Sequence, residues 1–207
     1  GHDLKFIGEF ESYLKSKGHL VKRDKWGWGE PLDLDRSKAL IKWAEVVFSE
    51  WGLANSVWYS NNISDEQTHV VRIHLQEVNE RARIFPINIE NKSVDKFVFV
   101  AEHVQSEAID LFDWEPESTI VIPNFVDIDR LSQPKLPSAS KTLGIIGIVP
   151  QRKRLDRALN LILKLASIDP SWKLIIKGKN PRNIEFMKAP SRSSEMKYFE
   201  EQFERME

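Results

Sequence analysis

The chain has 207 residues, of which 41% are hydrophobic and 29% are charged, so it can bury a core and is not expected to be disordered. Its 30 basic and 31 acidic side chains leave a net charge of −1, which argues against a general nucleic-acid-binding protein. The absence of cysteine excludes a disulfide framework, a thiolate nucleophile and a cysteine-based metal site, and it fits a cytoplasmic protein.

In the first part of the chain, short apolar runs typical of strands alternate with helical patterns. Alternation of this kind predicts an α/β fold with Rossmann-like parallel sheets and flanking helices. No apolar run approaches the roughly 20 residues that a membrane-spanning helix needs. We expect strands at residues 20–21, 46–48, 69–74, 96–101 and 119–122, and helices at residues 6–17, 37–43 and 102–112.

The next part of the chain has the pattern of a strand–helix–strand unit. An apolar run at residues 143–149 precedes an amphipathic helix that begins near Leu155, and a second apolar run occupies residues 174–176. A further helix is expected at residues 195–207, with Phe199, Phe203 and Met206 on one side.

Residues 132–141 are rich in Pro, Ser and Lys. They predict a linker between one α/β domain at residues 1–131 and a second domain at residues 142–207. The second domain is too short to be a complete Rossmann-like domain, and the first begins with a helix where a strand is usual. We therefore expect the chain to be a piece of a longer protein, with the second domain incomplete.

Three cations, Arg152, Lys153 and Arg154, stand where the first strand of the second domain meets its helix. The N–H groups of a helix N-terminus are unpaired and its dipole favours an anion, so this junction suits a phosphate. The alternative is a solvated cationic turn, and the spacing alone favours neither. Gly147, near the end of the strand, would permit close approach of a ligand or of another backbone.

His74 directly follows an apolar strand, at the edge of the sheet where ligands of open α/β sheets bind. A neutral imidazole there can hydrogen-bond a substrate hydroxyl. The alternative is a histidine that merely caps the strand end, and the sequence alone favours that alternative.

Trp26 and Trp28 alternate with glycines in a short loop. Indole rings stack on sugar rings, which would make this loop an acceptor-binding element, but tryptophan also anchors loops to a core. No metal-ligand spacing, Walker loop or GxGxxG motif is present, so the sequence indicates neither a metal ion nor a bound cofactor.

Several ordered segments together resemble the retaining glycosyltransferases of family 4, which have the GT-B fold. Residues 121–127 (VIPNFVD) resemble the "IPNGVD" crossover between the two domains of those enzymes, with Phe125 in place of glycine. Residues 147–153 are similar to the strand-ending glycine and basic turn that follow it. The resemblance extends to the strand at 174–176 with Gly178, to residues 97–101 and to His74.

This resemblance implies roles for the residues named above. Lys153 would bind the diphosphate of a nucleotide sugar, and Gly147 and Gly178 would line the donor site. Ile148 replaces the family's usual arginine, so that Arg152 or Arg154 would have to substitute. His74 would lie near the transferred sugar. Catalysis would consist of electrostatic stabilisation of the departing diphosphate.

The resemblance further implies that the parent protein transfers a sugar from a nucleoside-diphosphate sugar to a saccharide or lipid-linked acceptor in bacterial polysaccharide biosynthesis, with room for peripheral membrane contact. The family's Glu-x7-Glu motif is not found after the crossover; Glu107 and Glu115 have that spacing but precede it. The chain alone is therefore expected to be inactive. Two alternatives remain: a non-catalytic GT-B-like interaction module of a larger assembly protein, and a phosphosugar epimerase, for which no acid/base carboxylates are evident.

Overall fold

A computed structural model describes residues 1–206, without the side chain of Ser138. The chain divides into two units: unit 1 is Gly1–Ile128, and unit 2 begins at Asp129. The short helix α6 (Ile128–Leu131), named in chain order, begins at the last residue of unit 1.

Unit 1 alternates helices with strands. Helix α2 begins after Asp33, whose carboxylate accepts the Arg36 N–H at 2.9 Å and so satisfies an unpaired donor of the first turn. The elements are α1 (Gly8–Ser16), α2 (Leu34–Trp43), β1 (Val46–Glu50), α3 (Ala54–Ser60), β2 (Thr68–Ile73), α4 (Leu75–Val78), β3 (Lys96–Phe99), α5 (Glu102–Phe112) and β4 (Thr119–Val121).

The strands of unit 1 form a parallel sheet in the order β1-β2-β3-β4. The register sets Glu50 beside Arg72 and Ile73 beside Phe99. Because parallel strands end at the same edge of a sheet, the residues at and just after the ends of β1, β2 and β4 come together. One face of the sheet packs on α5. Its buried core contains Val71, Ile73, Phe97, Phe99, Val104, Ala108, Phe112 and Trp114.

Unit 2 is a strand–helix–strand unit with an added helix. Its elements are β5 (Thr142–Ile146), α7 (Leu155–Ile168), β6 (Lys173–Lys177) and α8 (Ser193–Glu204). Strands β5 and β6 are parallel neighbours. The apolar stripe of α7 and one face of α8 close a small core of Ile148, Leu155, Leu159, Met187 and Phe199.

Short 3-10 turns connect these elements. One of them, Pro137–Ala139, lies in the Pro- and Ser-rich segment at residues 132–141. The others are Pro86–Asn88, Asn91–Ser93, Pro116–Ser118, Gln151–Lys153, Pro181–Asn183, Glu185–Lys188 and Pro190–Arg192.

The α/β fold class predicted from the sequence, with parallel sheets flanked by helices, is confirmed. The strand expected at residues 20–21 is wrong: this segment is irregular, and Leu20 is 81% exposed beside the cations Lys22 and Arg23. The last predicted helix corresponds to α8, while Glu207 lies outside the described residues. Within residues 1–206, no helix combines the length and the apolar character needed to cross a membrane.

Candidate functional site

The carboxyl edge of the unit 1 sheet holds a buried pair of polar side chains. Glu50, the last residue of β1, is fully buried, and His74, which follows β2, is 6% exposed. The imidazole Nε2 lies 2.9 Å from Glu50 Oε1. A carboxylate withdrawn from water needs partners of this kind, because an unpaired buried charge is strongly destabilising.

Arg72 supplies the positive charge of this edge. Its Nη1 lies 3.4 Å from Glu50 Oε2, and its Nη2 donates to Asn124 Oδ1 at 2.5 Å. Arg72 interrupts the apolar run of β2, and Asn124 belongs to the segment after β4. The guanidinium thus connects the end of β1 to the VIPNFVD segment, which resembles the crossover of glycosyltransferases.

A second buried carboxylate, Glu77, organises the backbone around His74. Glu77 Oε1 accepts the N–H groups of Gly52 at 2.9 Å and of His74 at 3.3 Å. Burial, with a further contribution from the negative charge of Glu50, raises the pKa of Glu77 to about 8. Gly52 leaves room for the buried Ile73, because a Cβ atom at this position would clash with Ile73 Cδ1 and displace the end of that side chain.

The His74 ring is held between aromatic side chains. Trp51 stacks on it, with ring centroids 4.0 Å apart and planes at 22°, and Phe6 lies at 5.2 Å. Trp51 has φ = +72°, which a bulky residue rarely adopts and which requires support from its surroundings. The Asn55 amide and the Ser56 hydroxyl, at the start of α3, donate to the Trp51 carbonyl and provide that support.

The two tryptophans predicted to bind an acceptor differ in position. Trp26 is 3% exposed, and its indole N–H donates to Asp24 Oδ2 at 2.8 Å, so its ring serves as an anchor of the loop. Trp28 is partly exposed and packs edge-on against Phe85. It contacts the same apolar cluster as Trp51, which stacks on His74.

A cavity of about 800 Å³ lies elsewhere in unit 1. Its walls include Phe10 and Leu14 of α1, Trp43 of α2 and residues 45–49, which run along β1 at the outer edge of the sheet. His74, Trp26 and Trp28 are not among its lining residues. The predicted sugar-binding residues therefore do not share this cavity.

In unit 2, the two glycines assigned to the donor site meet at the ends of β5 and β6. The Gly147 N–H donates to the Lys177 carbonyl at 2.7 Å, and Gly147 has φ = +69°. A Cβ atom on Gly178 would lie 3.2 Å from the Gly147 Cα. Close approach of the two backbones thus accounts for glycine at position 178, whereas the positive φ accounts for glycine at position 147, where an added Cβ would meet no heavy atom within 4 Å.

The start of α7 already carries an acidic side chain. Arg154 forms a bidentate pair with Asp156, with N···O distances of 2.9 and 2.6 Å, and this hydrogen-bonded pair holds the pKa of Asp156 well below its ordinary value. The Asp156 N–H donates to the Tyr198 hydroxyl at 3.0 Å. Glu195 of α8 accepts the Gln151 N–H at 2.7 Å. The unpaired N–H groups expected at this helix N-terminus are therefore partly used within the chain.

Arg152 and Lys153 differ from Arg154. Both are exposed on the Gln151–Lys153 turn, and among residues 1–206 no carboxylate lies within 4 Å of either side-chain charge. Of the three cations in the motif, these two are available to an external anion, whereas Arg154 is neutralised by Asp156.

Comparisons with known proteins bear on the fold. No family model matches the sequence, and no curated protein matches it. Among solved structures, the chain is similar to TarM, a GT-B glycosyltransferase, with a TM-score of 0.54 and 18% sequence identity. The match covers 74% of this chain but 32% of the TarM chain. The fold is thus similar to that of a GT-B glycosyltransferase, and the chain spans about a third of that protein's length.

Four residues of the His74 site were not predicted from the sequence: Glu50, Arg72, Glu77 and Asn124. The sequence contains a signal for two of these residues, Glu50 and Arg72. Glu50 ends one strand as His74 follows the next, and Arg72 is a charged residue in an otherwise apolar strand. Since neighbouring parallel strands end at one edge, these three side chains could have been grouped from their positions alone.

Proposed function

We propose that this chain is part of a glycosyltransferase that transfers a sugar from a nucleoside-diphosphate sugar to a saccharide or lipid-linked acceptor. Unit 1 would be most of the acceptor-side domain and unit 2 the beginning of the donor-side domain. The GT-B-like fold supports the reaction class. The finer assignments, to the retaining family 4 type and to cytoplasmic synthesis of a bacterial polysaccharide, are supported by the motif resemblance.

The observation that carries the proposal is the exposed basic turn after β5. Arg152 and Lys153 present two exposed positive charges on the turn that follows Gly147 in the chain. In the proposed reaction Lys153 binds the diphosphate and Arg152 is its second cation. Stabilising the negative charge that develops on the leaving diphosphate lowers the barrier without a covalent intermediate on the protein.

His74 and Trp28 have roles in the acceptor-side part of the proposal. His74 lies near the transferred sugar, and the partly exposed Trp28 offers an indole face for a sugar ring. The carboxylates that an epimerase would need as acid and base are not offered by Glu50 and Glu77, because both are fully buried and bonded within the chain. This favours sugar transfer over epimerisation.

The test is whether the 207-residue chain binds a nucleotide. Binding is measured from the changes in amide chemical shifts as UDP or GDP is added. We expect shifts at Gly147, Gly178 and the Gln151–Lys153 turn. Lys153→Ala should weaken binding about tenfold, because it removes a charge-assisted hydrogen bond to phosphate. Lys164→Ala, at an exposed position of α7, is the matched control and should leave the dissociation constant unchanged.

Two outcomes would contradict the proposal. Binding that is equally strong in wild type and Lys153→Ala would show that the basic turn is not the phosphate site. Absence of any response to either nucleotide would favour the alternative of a non-catalytic GT-B-like interaction module.

A further inference from the structure

We propose that Glu50 is the positioning residue of the His74 site: one carboxylate oxygen holds the imidazole Nε2–H and the other holds Arg72, which fixes the ring in a single tautomer and orientation. The inference rests on the proposed function only in treating His74 as a substrate contact. The positioning itself follows from contacts within unit 1.

The imidazole of His74 carries its hydrogen on Nε2. Glu50 is fully buried and forms an ion pair with Arg72. An ionised carboxylate accepts hydrogen bonds and donates none. Because Glu50 Oε1 lies 2.9 Å from His74 Nε2, that nitrogen must carry the hydrogen. In the neutral imidazole, Nδ1 is then the nitrogen that accepts.

The Glu50 carboxylate is itself held in place. Its position is fixed on both sides, because the Arg72 guanidinium that holds Oε2 is itself held by Asn124 Oδ1. The backbone of Glu50 is also restrained, since the Asn55 amide donates to the Glu50 carbonyl at 3.4 Å. Because the carboxylate is restrained in this way, it fixes the orientation of the His74 ring and does not move with it.

Aromatic contacts restrain the plane of the His74 ring. Trp51 stacks on one side at 4.0 Å, and Phe6 lies at 5.2 Å. A ring flip that exchanged Nδ1 and Nε2 would require these aromatic groups to move apart and the bond to Glu50 to break. The charge pair selects the tautomer, and the aromatic contacts maintain the orientation.

A chemical consequence follows for the substrate. With its hydrogen directed to Glu50, neutral His74 does not donate a proton at Nδ1. The Glu77 N–H already donates to the His74 side chain in a capping box, so a sugar hydroxyl at Nδ1 would have to share or replace that donor. A neutral His74 held in this tautomer does not act as a general acid.

The experiment measures the tautomer of His74 directly. Ring ¹⁵N shifts of the ¹⁵N-histidine-labelled 207-residue chain are recorded at pH 8, and the His74 signals are assigned by their loss in His74→Gln. We expect the Nε2–H tautomer in the wild type. In Glu50→Gln, the side-chain amide can either donate or accept. The ratio of the Nε2–H to the Nδ1–H tautomer should therefore fall about tenfold or more, the factor expected for a lost charge-assisted hydrogen bond.

Glu77→Gln is the matched control. It changes another buried carboxylate beside His74 but one that bonds backbone N–H groups, so the ring tautomer should not change. A wild-type spectrum of the Nδ1–H tautomer would overturn the inference, even if Glu50→Gln failed to fold. An unchanged ratio in folded Glu50→Gln would also overturn it. Nucleotide binding is measured separately. If His74 is in the Nε2–H tautomer but the chain binds neither UDP nor GDP, the positioning role of Glu50 stands and the proposed function is contradicted.

Discussion

The two candidate sites use charge in opposite ways. At the edge of the unit 1 sheet, Glu50, Arg72 and His74 are buried and satisfy one another. On the turn before α7, Arg152 and Lys153 are exposed with no carboxylate of the described residues within 4 Å. Buried charges must be paired to be tolerated, whereas exposed charges interact weakly with the rest of the fold. A substitution in the buried cluster should therefore change stability strongly, whereas a substitution on the exposed turn should change it little.

The largest effect should come from breaking the buried network. Glu50→Ala leaves Arg72 without its anion and His74 Nε2 without its acceptor. Removing one member of a buried pair typically costs about 3–5 kcal/mol, and we expect unit 1 to lose that much. Amide hydrogen exchange of β2 and β3 measures the loss. Asp35→Ala, which breaks the exposed Asp35–Lys38 pair, is the control and should cost under about 0.5 kcal/mol. Equal losses of stability in Glu50→Ala and Asp35→Ala would show that the buried network contributes no more than an exposed ion pair.

The next effect is a dependence of stability on pH. The pKa of Glu77 is raised from 4.5 to about 8, so between these values the folded chain holds a proton that the unfolded chain has lost. Glu77 therefore makes stability fall as the pH rises, whereas the buried Gly1 amino group, whose pKa is lowered from 8.0 to about 6, makes it rise over the same range. From pH 6.5 to 8 the Glu77 contribution should fall by about 1.6 kcal/mol, since one proton corresponds to about 1.4 kcal/mol per pH unit and Glu77 is half ionised at its pKa. Urea unfolding monitored by tryptophan fluorescence measures it.

Glu77→Gln supplies the comparison for this pH range. The Gly1 contribution is the same in both chains, so the stability of the wild type relative to the variant isolates Glu77 and should fall by about 1.6 kcal/mol from pH 6.5 to 8. His69 contributes with the opposite sign at lower pH: burial lowers its pKa from 6.5 to about 4, so stability falls as the pH falls below 6.5. Parallel curves for wild type and Glu77→Gln between pH 6.5 and 8 would show that Glu77 is already ionised in the folded chain.

A smaller effect is expected at the glycine pair of unit 2. Gly178→Ala places a Cβ atom 3.2 Å from the Gly147 Cα, which forces the ends of β5 and β6 apart and should cost about 1–2 kcal/mol. Gly144→Ala is the matched control, because no heavy atom lies within 4 Å of the added carbon. It should remain within about 0.5 kcal/mol of wild type. Hydrogen exchange of α7 amides compares the two, and equal values would refute the close approach.

The smallest effect on stability should come from the exposed turn. Lys153→Ala removes a charge that pairs with no carboxylate of residues 1–206, so unit 2 should change by less than about 0.5 kcal/mol. Thermal unfolding followed by circular dichroism provides the measurement. A loss comparable to that of Glu50→Ala would mean that the turn has a structural role, and the contrast between the two sites would fail.

Much of the fold could be predicted because its signal is local. Helix α5 has the predicted bounds, Glu102–Phe112, since its apolar residues recur at helical spacing directly after an apolar strand. Helix α3 was missed. Its sequence ANSVWYS contains weak helix formers, and the helix is stabilised by contacts of Asn55 and Ser56 with the Trp51 carbonyl. Such contacts depend on tertiary structure and leave no periodicity in the sequence.

The candidate sites were predictable to different degrees. The positions of His74 and Lys153 follow from strand ends and charge runs, and their functional roles stay predictions. The partner of Arg154 is Asp156, two residues away, but the pairing depends on the αL backbone of Arg154 at φ = +59°. The partners of His74 depend on strand register, which joins Glu50 to Arg72 across 22 positions. Local patterns do not determine such pairings.

The contact between Arg72 and Asn124 has a consequence for the folding kinetics of unit 1. It joins side chains 52 positions apart, and it requires β2 and the segment after β4 to be in place. Closing so long a loop carries an entropy cost that only many other contacts can offset. We therefore expect this hydrogen bond to form after the rate-limiting barrier, so that its loss accelerates unfolding and leaves the refolding rate almost unchanged.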